Sequence, residues 1–405
     1  MRQLKYSKQS AATRVLIIQA EMKHYRVPFF TGLQSALEDD GIELTVSYAN
    51  SGSVHAARND RAELPPPLGR RVEGRWFFHR FLYQNLWKDI FAADLVIAGP
   101  EAKYLVNPVL MILSRLGLKT VAFWGLGPNN HPDRNAFSEW VKQLFFTSID
   151  WWFAYTASVG EYLKKRGMPA DKITIVQNAT DTAELRKLID DIPDDEVLRA
   201  KQELTGSQSS SIAFYCGLIG SIKAIPLLLD AARLVKKECP DFHLVIIGNG
   251  PDREWLKSAV AQEPWIHYMG SLYGRESALF YKMANIFVIT GTVGLAVVDS
   301  FAAGLPLIAT EMDTHPPEIS YVSNGYNGFL TRHDARSFAD AILEVFSNPV
   351  LREKLQQGAS ESRSRYTMEA MVENYRSGIK KCLARYKGAS FPELAGSGLV
   401  RRSEN

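Results

Sequence analysis

Asp299 lies within TGTVGLAVVDSFAAGLPLIAT, Thr290 to Thr310, which reads as strand end, glycine turn, short helix, glycine stop and second strand. It follows Leu295 by four positions, so it shares that residue's helix face. A carboxylate on an inward face is costly unless something donates to it. Two donors are open: a backbone group in a neighbouring loop, or a ligand. Lys223 stands beside Gly217 and Gly220, just after the apolar run IAFYCG. A cation at a strand's carboxyl end can pair with a diphosphate, although a solvated lysine has the same signature. Gly291 and Gly294 let backbone N–H groups at a helix start approach a phosphate, and equally they make a tight turn. Glu318 and His315 share the loop DTHPPEIS, where a plain loop histidine is the preferred reading of His315. Lys23, His24 and Arg26, in AEMKHYRVPFF, cluster where the chain leaves its first strand. They can hold a phosphate or stay as a solvated basic loop.

These groups need elements to position them, and the pattern supplies them. RVLIIQA (14–20), IELTVSYA (42–49), DLVIAGP (94–100), KTVAFWG (119–125), WWFAYT (151–156) and ITIVQN (173–178) read as strands separated by helical stretches. A polar, acidic stretch at 190–211 is the best linker candidate. The alternation then restarts with IAFYCG (212–217) and runs through FHLVIIGNG, WIHYMG, IFVIT and PLIAT, before a helical tail from Ala335. Strand–helix alternation of this kind predicts parallel sheets. The expected organisation is two Rossmann-like doubly wound domains facing across a cleft, 1–189 and 212–365. A helix at 366–387 crosses back to the first, and 388–405 forms a flexible tail. Such sheets bind ligands at the carboxyl ends of their strands.

Composition bounds the function. A chain of 405 residues is too long for one ordinary core, and 46% hydrophobic with 22% charged residues is ordinary globular usage. A net charge of +3 gives no reason to expect nucleic acid. Cys216, Cys239 and Cys382 are too scattered for a disulfide framework or a zinc pattern. No Asp-x-Asp or histidine cluster follows a strand, so no metal is expected. AEMKHYRVPFF contains no G-x-G-x-x-G, which argues against a dinucleotide-dependent dehydrogenase. No signal peptide and no membrane span are read, and the expected location is cytoplasmic, peripheral on the inner face of the plasma membrane. The segment GRRVEGRWFFHRFLYQNLWKDIF (69–91) interleaves basic and aromatic residues. That suits an anionic membrane surface, and a helix buried on its aromatic side is the competing reading, slightly preferred.

Four stretches of the second half resemble, in order, the motifs of the retaining GT-B glycosyltransferases of family 4 (glycosyl transferases group 1). They are YCGLIGSIKAIPLLLDA, HLVIIGNGPDREWL, GLAVVDSFAAGLPLIAT and PPEISYVSNGYNGFL; in the first half, ADKITIVQNATDT is similar to the family's lead-in to the domain crossing. The resemblance implies a GT-B fold and transfer of a sugar from a nucleotide-diphosphate donor, with UDP or GDP expected. The acceptor is expected to be a glycan or lipid-linked, in cell-surface polysaccharide or glycoconjugate biosynthesis. Donor binding is expected from Gly217, Lys223, Gly291, Thr292, Gly294, Leu295 and Asp299, with Asp299 on the ribose hydroxyls. Catalytic roles fall to Lys223, Glu318 and His131, the last standing in for a histidine that the family often places where this chain has Leu126. Lys23, His24 and Arg26 take acceptor or phosphate. Two departures stand out: the arginine neighbouring the family lysine falls at Leu218, and the first acid of the family pair falls at Gly291. They keep two alternatives open, a non-catalytic GT-B-fold binding protein and a sugar-nucleotide epimerase.

Overall fold

Runs such as Leu95–Ala98 and Ile286–Ile289 are apolar and buried at every position, the mark of strands covered on both faces. The computed structural model describes residues 12–49, 62–126 and 149–386. The first half contributes β1 (Thr13–Gln19), β2 (Ile42–Tyr48) and β3 (Gly69–Arg71), then a separate antiparallel hairpin of β4 (Gly74–Phe77) and β5 (Phe81–Gln84). It continues with β6 (Leu95–Ala98), β7 (Thr120–Gly125), β8 (Trp151–Ala154) and β9 (Ile173–Ile175). All but the hairpin join one parallel sheet in the order β3-β2-β1-β6-β7-β8-β9. The second half contributes β10 (Ser211–Cys216), β11 (Phe242–Ile247), β12 (Ile266–Gly270), β13 (Ile286–Ile289), β14 (Leu307–Thr310) and β15 (Gly328–Thr331). These form a second parallel sheet, β12-β11-β10-β13-β14-β15. In each sheet the order reverses once, between β1 and β6 and between β10 and β13. A reversal leaves a crevice at the strands' carboxyl ends, because the flanking connections depart to opposite faces.

Two stretches differ from their sequence reading. Most of the acidic stretch 190–211 is the helix Asp194–Thr205, ended by Gly206 in the left-handed conformation (φ 80°). Asp194, Asp195 and Glu196 occupy its first turn, where acids favour the helix dipole. The helix is docked, since Arg275 clamps Glu196 with bonds of 2.5 and 2.7 Å. Segment 69–91 is strand, hairpin and a short helix (Trp87–Ala92) rather than one long helix.

The C-terminal helix Met368–Tyr386 packs on the first sheet. Its Tyr375 stacks on Phe153 with ring centroids 4.3 Å apart and meets Phe29 and Trp124 edge-on. Gly378 allows this approach: a Cβ there would lie 2.6 Å from both Phe153 and Thr174. Asp40 takes 2.6 Å bonds from Arg376 and Lys380 of the same helix, which bring its pKa down to about 2. A carboxyl held below its unfolded value of about 3.9 stabilises the fold above that pH and loses the effect as pH falls through the folded value. Asp40→Asn is therefore expected to unfold at a lower temperature than wild type at pH 7. Thermal scans should show the gap closing between about pH 4 and pH 2.

Candidate functional site

The carboxyl ends of β10 and β13 bring Lys223 and Asp299 to the same crevice. After β10 the chain makes a tight loop, with Ile219 N–H donating to Asn249 O (2.9 Å) and Tyr215 Oη to Leu218 O (2.7 Å). The 3-10 turn Ser221–Lys223 follows, and Ala224 enters the left-handed region (φ 48°) to start the helix Ile225–Glu238. This loop is sewn to the end of β13. Thr292 N–H donates to Ile222 O (3.0 Å), Thr290 Oγ1 donates to Lys223 O (3.2 Å) and Ala224 O (2.9 Å), and Lys223 Nζ donates to Thr292 O.

That stitching accounts for Gly291. A Cβ at Gly291 would fall 2.3 Å from Ile222 O and 2.4 Å from Lys223 Cα, both backbone atoms. No side chain fits there unless the lysine loop moves. Gly294, by contrast, is left-handed (φ 60°) with open space around it, and Leu295 leads into the short helix Ala296–Ala302. On that helix Asp299 is half-buried. It accepts from Thr180 Oγ1 across the cleft at 3.4 Å, and burial pushes its pKa up to about 7 against the pull of that hydroxyl. One long bond is little solvation for an acid in such surroundings.

His315 serves the framework. Its Nε2 bonds Thr310 O (2.6 Å) and its Nδ1 accepts from Val293 N–H (3.3 Å), while burial lowers its pKa. Both nitrogens hold loops, the plain role preferred from sequence. Glu318 is buried and receives a hydrogen bond from Asn178 Nδ2 of the first half; burial is the main cause of its raised pKa. Tyr321, one turn on, donates to Asn178 O at 3.1 Å. Glu318 thus works at the junction between the halves.

Lys23, His24 and Arg26 follow β1 at the first sheet's reversal, yet they do not form one cationic patch. Lys23 pairs with Glu21 (3.1 Å) and His24 is exposed. Arg26 is buried, its guanidinium 5.0 Å from the Tyr25 and Trp124 ring centres and 5.7 Å from that of Tyr155. Across the reversal, after β6, stand Glu101 and Tyr104, which sequence reading passed over. Glu101 is exposed as a residue, but its carboxyl turns inward against Gly99, and burial raises the pKa of both groups. The signal was their place after β6, visible only once β6 is known to lie beside β1. Thr180 was missed because its partner lies 119 residues away. His131 lies outside the described residues.

Comparison with known proteins bears on this arrangement. A glycosyltransferase of Rickettsia africae superposes with a TM-score of 0.66 at 15% identity, covering 92% of this chain and 99% of that one. Anabaena HepE, solved with UDP-glucose, does so with a TM-score of 0.61 at 14% identity, over 91% and 99%. The fold is GT-B. Residues 210–348 match the family model described as glycosyl transferases group 1. The alpha-monoglucosyldiacylglycerol synthase of Acholeplasma laidlawii is 26% identical over 187 residues, 44% of this chain and 46% of that protein. The chain therefore aligns with less than half the length of that relative.

Two outcomes test the geometry. Gly291→Ala should lower the thermal midpoint by the equivalent of roughly 1–3 kcal/mol, and Gly291→Glu at least as much. An unchanged midpoint for the alanine variant would mean that the lysine loop yields freely. For Asp299, the folded state binds more protons than the unfolded chain between about pH 4 and pH 7, so its contribution to stability falls across that window. Asp299→Asn should accordingly be more stable than wild type at pH 8, by something on the order of a few kcal/mol, and equal to it below about pH 4.

Proposed function

We propose that the protein is a retaining, metal-independent glycosyltransferase that moves a sugar from a nucleotide-diphosphate donor to a glycan or lipid-linked acceptor. The observation that carries this is Asp299: a carboxylate with one long hydrogen bond, at the reversal crevice of the second sheet, on the same segment that holds Lys223. Ribose hydroxyls would supply the donors that this carboxylate lacks, and the ammonium of Lys223 would swing from Thr292 O to the diphosphate. Gly217, Thr292, Gly294 and Leu295 would line the donor, with Gly291 packed behind them. UDP is favoured over GDP by the UDP-glucose complex of Anabaena HepE, and a lipid-linked acceptor by the name of the Acholeplasma laidlawii relative. The acceptor would enter from the first sheet, beside Lys23, His24, Glu101 and Tyr104.

In this reading the acceptor oxygen forms its bond to the anomeric carbon on the face from which the diphosphate departs. The C–O bond to phosphate breaks with its electron pair leaving on the phosphate, and a phosphate oxygen takes the acceptor proton. Lys223 stabilises the departing charge. The resemblance to family 4 supports retention and transfer without a metal, in glycoconjugate synthesis at the cytoplasmic face of a membrane.

A second reading, nucleotide binding without transfer, draws on one specific observation: the position of the first family acid is filled by the 222–223 backbone. Calorimetry with UDP and GDP, followed by donor turnover, separates the two. Asp299→Asn is expected to weaken nucleotide binding roughly ten-fold or more, the worth of hydrogen bonds to a charged acceptor. Affinity of the wild type, relative to that variant, should rise from pH 6 to pH 8 as the carboxyl ionises near 7. Nucleotide binding without turnover of any donor would favour the second reading, and absence of both would sink the first.

A further inference from the structure

The hairpin of β4 and β5 stands outside both sheets and carries the least sheltered aromatic residue described. Phe78, at its tip, is 91% exposed, and Phe77 before it is 46% exposed. Phe78 and His79 both adopt positive φ (51° and 52°), and Arg80 N–H closes the turn on Phe77 O at 3.0 Å. Two consecutive non-glycine residues in the left-handed region are costly, and glycine or asparagine usually fills such a turn. The strain therefore maintains an aromatic pair pointing into solvent, which burial in the fold does not explain.

The surroundings of the tip favour one kind of partner. From 69 to 91 the chain carries Arg70, Arg71, Arg75, Arg80 and Lys88 against Glu73 and Asp89, an excess of three cations in a protein whose whole net charge is +3. Arg80 lies over the Phe81 ring at 5.5 Å and Lys103 over Tyr104 at 5.3 Å, with no carboxylate within ion-pair distance of either among the described residues. The ribbon is rigidly held: Leu82 is buried, its N–H donates to Lys103 O (2.9 Å), and its carbonyl accepts from Leu105 N–H (3.0 Å). Leu105, whose N–H joins it to the ribbon, is itself 40% exposed. Exposed aromatic and aliphatic groups beside Arg80 and Lys103, with Arg75 held only by an exposed 3.9 Å pair to Glu73, match a bilayer interface. There, rings enter the acyl boundary while arginines meet anionic headgroups.

We propose that the β4–β5 hairpin is a membrane anchor that inserts Phe77 and Phe78 into an anionic phospholipid surface, with Arg75, Arg80 and Lys103 on the headgroups. The anchor does not depend on the glycosyl-transfer reading, because none of Phe77, Phe78, Arg75, Arg80 and Lys103 is assigned to donor or acceptor.

Sedimentation of the full chain with vesicles tests it. Binding is expected to vesicles of phosphatidylglycerol and phosphatidylcholine in equal amounts, to weaken as salt is raised, and to be largely absent on phosphatidylcholine alone. Phe77→Ala/Phe78→Ala should bind at least roughly ten-fold more weakly, given the apolar area withdrawn from the interface. Each of Arg75→Gln, Arg80→Gln and Lys103→Gln should cost about five-fold. Should the double alanine variant lose its unfolding transition, the three glutamine variants carry the test. Equal binding to neutral vesicles, undiminished binding of the substituted proteins, or dimerisation without lipid that the alanine variant abolishes would each overturn the anchor. The last would reassign the patch to protein contact.

Discussion

The buried hydrogen bond between Asn178 and Glu318 ties the segment that leaves β9, the last strand of the first sheet, to the 3-10 turn Pro317–Tyr321 that follows β14. Each of these residues would be expensive to bury alone, and together they still leave Asn178 Oδ1 without a partner among the described residues. The structure bears this cost where the two halves meet, and Tyr321 reinforces the join with its hydroxyl on Asn178 O. Because the join holds segment 178–180 against the second half, Thr180 reaches Asp299 and the reversal crevices of the two sheets open on one cleft. Without that contact the carboxyl of Asp299 would have no described hydrogen-bond partner. The acid's environment is thus a property of both halves at once, although its helix belongs to one.

Much of this was legible in the sequence, for physical reasons that can be named. Strands buried on both faces are apolar throughout, so β6, β7, β8, β10, β11 and β13 announced themselves, and their alternation with helices pointed to parallel sheets. Lys223, Asp299 and the glycines could be placed because they directly follow such strands. The helix Asp194–Thr205 was hidden by composition: its exposed face is so polar that it reads as linker, and only the acidic first turn and Gly206 mark its ends. Segment 69–91 misled in the opposite way. Aromatic spacing that would suit a helix stripe serves a short ribbon with its tip in solvent, since the antiparallel pairing of β4 with β5 outweighs local periodicity. Glu101 and Thr180 depended on which strands are neighbours, and a linear pattern does not carry that information.

Gly291 shows how a motif can change by packing rather than by chemistry. Seen only in sequence, it is an acid lost from a pair. In the structure it is the contact surface for the Lys223 loop, with five hydrogen bonds between 290–292 and 222–224 drawing the two segments together. The same closeness brings the ammonium onto Thr292 O and holds it within the crevice rather than in bulk water. A side chain at 291 and a lysine loop in this position exclude each other sterically. The chain has taken the second arrangement.

Asp299 is the group most sensitive to what enters that space. An acid raised by desolvation to about 7 is divided between its two forms near neutral pH, so a modest change in its surroundings shifts its charge. Hydrogen-bond donors arriving at the carboxyl would favour the ionised form and release a proton, converting an unfavourable burial into a binding contribution. Water could satisfy the carboxylate too, but the half-buried helix face and the covering first half limit how many molecules reach it. Destabilisation of the empty site and affinity for a hydroxyl-bearing ligand then have one cause: a carboxylate supplied with fewer donors than it can use.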